Sequence, residues 1–162
     1  MPSPYPGANT LPANRAGRRV GQVSELTVIA PLKPGGADYL RSLSMTSGAD
    51  GDGLMGIHTV HNLRWVIFDN DTRAIFATTY DGDWDAYIDD FATGIPDQMD
   101  AMFGVVEGYP GITAPNIKDF IAAHQITATT WFAAHPDLRV TDVERQARLA
   151  HAVDGLLDAS NP

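Results

Sequence analysis

After residue 22 the chain alternates between two hydrophobic periods, and the alternation predicts its elements. Leu26 to Leu32 (LTVIAPL) is a short apolar, β-branched run closed by Pro34-Gly35-Gly36, which reads as a strand and a turn. Ala37 to Met45 spaces Leu40 and Leu43 as a helix does, and the glycine- and aspartate-rich stretch Ser47 to Gly56 reads as a loop. His58 to Phe68 and Ala74 to Tyr80 are rich in Val, Ile, Thr and aromatic residues, and the turn chemistry of Asp69-Asn70-Asp71-Thr72-Arg73 joins them into a hairpin. Trp84, Tyr87, Ile88 and Phe91 fall at i, i+3, i+4 and i+7, with Asp83 placed to act as N-cap of a helix. Met99, Met102, Phe103 and Val106 repeat that spacing until Gly108 and Pro110 stop it; Ile117, Phe120, Ile121 and His124 repeat it in a further short helix. Ala128 to Ala134 (ATTWFAA) is the fourth strand candidate, and a last helix starts at the capping box Thr141-Asp142-Val143-Glu144 and runs to about Leu157. The order is β-α-β-β-α-β with extra C-terminal helices, an α+β chain of the ferredoxin-like arrangement.

A hairpin turn centred on Asp71 places Arg64 opposite Thr78 and His61 opposite Asp81. Alternation then puts Leu63, Trp65, Ile67, Ile75 and Ala77 on one face and Val66, Phe68, Ala74 and Phe76 on the other. Both faces are apolar, whereas a ferredoxin-like unit has helices on only one, so something else must cover the second. A second copy of the chain is the simplest cover: two such sheets packed face to face make a dimeric α/β barrel with room for a ligand. Cover by the C-terminal helix or the 98–124 helices of the same chain is the alternative.

Composition narrows the classes. The 162 residues, 44% hydrophobic and 19% charged, suit one soluble domain. Residues 1–22 hold Pro2, Pro4, Pro6, Pro12 and three arginines with few bulky apolar side chains, so they read as a disordered tail ahead of a single domain over 23–162. Eleven Lys and Arg against twenty Asp and Glu give a net charge of −9, which argues against nucleic acid and anionic lipid as partners. No run is long and apolar enough for a membrane span and none before Val23 resembles a signal peptide, so a cytoplasmic protein is expected. The absence of cysteine excludes disulfides, thiolate metal sites and cysteine nucleophiles. There is no phosphate-binding glycine loop and no GxSxG elbow.

Three segments together carry a resemblance: Gly56-Ile57-His58-Thr59-Val60-His61-Asn62-Leu63-Arg64-Trp65-Val66, Phe76-Ala77-Thr78-Thr79-Tyr80-Asp81-Gly82-Asp83-Trp84-Asp85-Ala86-Tyr87, and Glu107-Gly108-Tyr109-Pro110. They resemble a poorly characterised bacterial group of dimeric α/β-barrel proteins, with its His-x-x-Arg strand, its F-x-T-x-Y/F-D-G strand end and its C-E-G-Y/F-P turn. The resemblance spans roughly residues 26–135 and departs at Val106, where the group often has cysteine. It implies a homodimer; the wider superfamily includes small monooxygenases, haem-degrading enzymes, and the barrel halves of chlorite dismutases and dye-decolorising peroxidases. Fold alone does not carry any of these activities over.

The candidate chemistry centres on the hairpin. A carboxylate at Asp81 would fix the tautomer of His61 and raise its basicity, as a general base needs; a structural hydrogen bond at a strand end is the plainer reading. His58 and His61 fall on opposite faces of a strand, which disfavours a paired metal site. Arg64, expected half-buried among Asn62, Thr78 and Tyr80, needs a partner, either Glu107 or an anionic ligand. Glu107 and Tyr109 follow a helix and could aim a carboxylate and a phenol into a cavity, or simply cap and pack. Asp81 to Asp85 fails the calcium-loop pattern, with Ala86 and Ala92 where Gly and Glu belong. The leading expectation is a small-molecule-binding barrel acting by proton transfer or oxygen-dependent oxidation, with His61, Asp81, Glu107 and Tyr109 catalytic and Arg64, Asn62, Tyr80 and Trp65 binding the ligand. The alternatives are a haem-binding oxidoreductase with His61, His124 or His135 on iron, and a non-catalytic accessory module; enzyme and non-enzyme both remain open.

Overall fold

The computed structural model describes residues 17–46 and 57–159. In chain order these form β1 (Arg19–Val20), β2 (Val23–Pro31), α1 (Gly36–Thr46), β3 (Val60–Phe68), β4 (Arg73–Asp81), α2 (Trp84–Gly94), α3 (Pro96–Phe103), α4 (Ile117–His124), β5 (Gln125–Ile126) and α5 (Val140–Ala159). The fold is α+β: five strands in one antiparallel sheet, with five helices among the described residues. β2 and β4 pair along their whole lengths, β3 pairs with the far edge of β4, and the short β1 and β5 share the outer edge of β2. The sheet is open and does not close into a barrel. Residues 1–16 of the expected tail and the expected loop over 47–56 lie outside the described residues, whereas Arg19–Val20, also assigned to the tail, form β1.

One face of the sheet carries the core. Leu26, Val28 and Ala30 of β2, Ala74, Phe76 and Tyr80 of β4, and Leu63, Trp65 and Ile67 of β3 pack beneath Trp84, Tyr87, Ile88 and Phe91 of α2. Tyr80 stacks on Tyr87 at 3.8 Å between ring centroids, Phe91 meets Tyr87 edge-on, and Trp65, Phe76 and Phe103 form a second aromatic cluster. Each such ring contributes roughly 1.5–3 kcal/mol on burial, so the i, i+3, i+4, i+7 spacing of α2 is what fastens it to the sheet.

Several expectations need correction. The hairpin register is Leu63 with Thr78, Arg64 with Ala77 and Trp65 with Phe76, one residue away from a turn centred on Asp71. Ile75 and Ala77 therefore share the face of Arg64 and Val66, and Phe76 and Ala74 share that of Trp65 and Ile67. Asp69, Asn70 and Asp71 all have positive φ, of 52°, 53° and 67°, so the chain reverses through three left-handed residues that Asn and Asp tolerate. Ala128 to Ala134 is not a strand; only Gln125–Ile126 pairs with β2, and the following backbone is held by side chains instead. Val106 is not helical: α3 ends at Phe103 and Val106 bridges Leu32. Asp83 stands at the N-cap of α2 but makes no cap bond, because its carboxylate pairs with Arg19. α5 begins at Val140, before the expected capping box; Asp142 accepts the Arg139 N–H at 3.0 Å, and Asp81 accepts that of Val140 at 2.8 Å.

Candidate functional site

The site begins with an irregularity in the hairpin. The ladder runs Val60 with Tyr80 and then Asn62 with Thr79, so His61 is the extra residue of a β-bulge. The bulge brings His61 Nε2 to 2.8 Å from Asp81 Oδ1, restoring a contact that the shifted register would otherwise break. A carboxylate only accepts, so this bond requires the proton on Nε2 and leaves Nδ1 as the basic nitrogen of the neutral ring. The Asp81 side chain is 8% exposed and that of His61 21%, and the other Asp81 oxygen holds the N-terminus of α5. His61 is thus oriented by a carboxylate that is itself fixed.

His61 lines a cleft of about 520 Å³ on the sheet face opposite the core. Its floor is Glu25 and Thr27 of β2, Ala77 and Thr79 of β4, and His61, Asn62 and Arg64 of β3; its roof is the 128–138 segment, with Trp131, Phe132 and His135. On the helix side, by contrast, the space between sheet and helices measures about 30 Å³ and is wholly apolar, too small for a ligand. Arg64 is exposed, not half-buried, and its guanidinium makes no hydrogen bond or ion pair among the described residues. It belongs with Asn62, Ala77 and Thr79, and Tyr80 faces away from it.

The roof is tied down by Glu25, a residue the sequence reading missed. Its carboxylate, in a residue 3% exposed, accepts from the backbone N–H of Arg18 (2.9 Å), the Thr27 hydroxyl (2.9 Å) and the backbone N–H of Ala128 (3.1 Å). Arg18 closes the loop from the other side, donating from its guanidinium to the carbonyls of Ala128 and Thr129. These bonds take up the backbone groups that a fourth strand would have used. A glutamate at the edge of an apolar run was the available signal, since a buried charge requires several donors.

The remaining candidates lie elsewhere. Tyr80 and Trp65 are on the core face, where burial, with the Glu25 charge second, pushes the Tyr80 hydroxyl well above its ordinary range. The Glu107 side chain is exposed, and its N–H bonds to Pro31 at the end of β2 away from the cleft. The Tyr109 hydroxyl donates to Asp100 at 2.8 Å; burial, reinforced by that carboxylate, raises its pKa. His124 Nδ1 lies 2.8 Å from the Phe120 carbonyl, and His58 Nδ1 3.3 Å from Glu144 of α5. His135 is exposed at the cleft, and its imidazole makes no hydrogen bond among the described residues. No group of three or more metal-ligating side chains occurs among the described residues, nor does a helix long and apolar enough to cross a membrane. Comparison with protein-family models, with curated proteins and with solved structures finds no match to this chain.

Proposed function

We propose that the protein is a ferredoxin-like, homodimeric α/β-barrel protein that binds a small molecule in the cleft beneath the 128–138 segment and acts on it by proton transfer. The observation that carries this reading is the His61–Asp81 pair at the wall of a ligand-sized cleft. His61 takes a proton from the ligand on Nδ1, and Asp81 stabilises the imidazolium that results. The same abstraction serves a cofactor-free isomerisation or, with dioxygen as the oxidant, oxidation of the carbanion left behind. Homodimerisation is supported by apolar surface on the cleft face of the sheet, where Val66 is 45% exposed, and by α5, which has no buried residue.

The experiment is a thermal-shift screen of a small-molecule library against the native chain and a Thr79→Trp variant that fills the cleft floor. Ligands of the site raise Tm only in the native chain; hits that stabilise both equally overturn the cleft assignment. For the ligands found, exchange of a carbon-bound proton with solvent deuterium is lost in His61→Gln while binding persists. Binding without exchange leaves an accessory module. A Soret band that saturates at one haem per chain and disappears in His135→Ala would replace this reading with the haem one.

A further inference from the structure

The cleft does not share the acidic excess of the chain that forms it. Twenty acidic residues outnumber eleven basic ones along the sequence, yet the ionisable groups lining the cleft are Arg64, His61, His135 and a single acid, Glu25. That acid is consumed: its carboxylate is buried and holds three donors, and the Arg18 guanidinium lies against the same segment of roof. Arg64 faces no such neutralisation. Its neighbours on the floor are the Asn62 amide and the Thr27 and Thr79 side chains, and no described carboxylate pairs with it. Elsewhere Arg19, Arg41 and Arg73 each hold an aspartate, whereas Arg64 holds none and, unlike the exposed arginines of α5, stands in the lining of a cleft. A guanidinium in a recess with walls of lower dielectric attracts an anion more strongly than one on open surface.

From these groups we infer that the ligand of the cleft is a planar aromatic carboxylate, its carboxylate on Arg64 and its ring against Trp131. The inference deepens the proposed small-molecule reading and rests on it. A carboxylate matches the two-pronged face of one guanidinium, with the Asn62 amide and the Thr79 hydroxyl as further donors to its lone pairs; the Thr27 hydroxyl is already spent on Glu25. A phosphate would demand more donors than this floor supplies: the first turn of α5 borders the cleft at Val143, but its Val140, Asp142 and Val143 N–H groups are taken by Asp81 and the Arg139 carbonyl, and no glycine-rich loop is among the lining residues. Trp131 and Phe132 supply flat apolar wall, and Phe132, 84% exposed, has surface to bury when a ring enters. A ring seated on Arg64 lies on the same strand and sheet face as His61, so a hydroxyl or acidic C–H on that ring is the group whose proton the imidazole would take.

Four probes test the inference by titration of the native chain, followed through tryptophan fluorescence and ligand NMR: benzoate, benzamide, phenyl phosphate and acetate. The expected result is saturable binding of benzoate at least tenfold tighter than of the isosteric benzamide and of acetate. Arg64→Gln, an exposed position whose substitution leaves the fold intact by circular dichroism, removes the preference for benzoate and leaves benzamide unchanged. Trp131→Leu weakens benzoate and benzamide alike. Equal affinity for benzoate and benzamide, or a benzoate preference that survives in Arg64→Gln, overturns the anion assignment. Phenyl phosphate binding more tightly than benzoate overturns the carboxylate. Absence of binding by all four, with library ligands still excluded by Thr79→Trp, overturns the class and spares the cleft; library ligands insensitive to that variant overturn both.

Discussion

His61 contacts Asp81 at 2.8 Å although neither is the other's ladder partner: Asp81 is paired with Val23, and His61 is the bulged residue that β4 skips. Asp81 spends its second oxygen on the first N–H of α5, so the imidazole and the last helix are fastened to one carboxylate. Asp81→Asn can keep only one of those bonds as an acceptor, and it removes the charge that selects the Nε2 tautomer. The expected loss is about 1–3 kcal/mol of stability in urea unfolding, with faster amide exchange over the first turn of α5. Unchanged exchange at Val140 would mean that the helix is not held by Asp81.

The Glu25 carboxylate is the clamp of the cleft roof, with donors from Arg18, Thr27 and Ala128 converging on it. Glu25→Ala leaves the two backbone N–H groups without their acceptor, at about 1–3 kcal/mol for each such buried group that water fails to reach. The 127–134 segment should become susceptible to proteolysis and ligands of the cleft should lose affinity, while the aromatic core on the other sheet face keeps its near-ultraviolet dichroism. A roof that stays protected in the variant would show that Arg18 alone suffices.

The hairpin tip is fixed by conformation and by charge. Asn70 has φ 53° between two other left-handed residues, so Asn70→Val forces a β-branched side chain into a region that disfavours it, at roughly 1–2 kcal/mol; Asn70→Gly is tolerated. Beside it, Asp71 accepts two bonds from Arg41 of α1, at 2.9 and 2.6 Å, which hold its carboxyl below the usual range. A depressed pKa gives stability that is present above the unfolded value and lost as pH falls through the folded one. The Tm difference between the native chain and Asp71→Asn should therefore be largest above about pH 4 and vanish at lower pH, and it should shrink in high salt because the pair is exposed. A difference independent of pH would assign the effect to backbone conformation alone.

Helices were the more legible part of this sequence, because their apolar spacing is internal to each element. Trp84, Tyr87, Ile88 and Phe91 are all buried, as their period requires. Faces of the hairpin were not legible, because one residue in the turn inverts every assignment on β4 while leaving β3 untouched. The His61–Asp81 contact survived that error only through a bulge, which no periodicity announces. ATTWFAA failed as a strand because its backbone is claimed by Glu25 and Arg18, residues more than a hundred positions away. Of the candidate site residues, those at alternate positions around His61 and Arg64 reach one cleft; Glu107 and Tyr109 were grouped with them by motif and not by any pairing that a sheet register imposes.

α5 supplies the last prediction. It is a twenty-residue helix with no buried residue, and Leu149, Val153 and Leu157, four apart, are 62%, 44% and 63% exposed on one side. An isolated helix of this length draws little stability from propensity alone. On the same chain, Val66 of the open sheet face is 45% exposed beside Ile75. A two-fold axis lets one surface of each copy meet the other surface of its mate, which buries both kinds at once. A stable pairing needs on the order of 800 Å² from each partner, which favours an interface that draws on both patches. Light scattering should thus give twice the 17.4 kDa chain mass at protomer concentrations on the order of 10 μM. The double variant Leu149→Glu with Leu157→Glu, and separately Val66→Glu, should both yield monomers with native dichroism, since none of these side chains is in the core. A native chain that scatters as a monomer would leave the sheet face and α5 without a second copy to cover them, and the dimer would have to be abandoned.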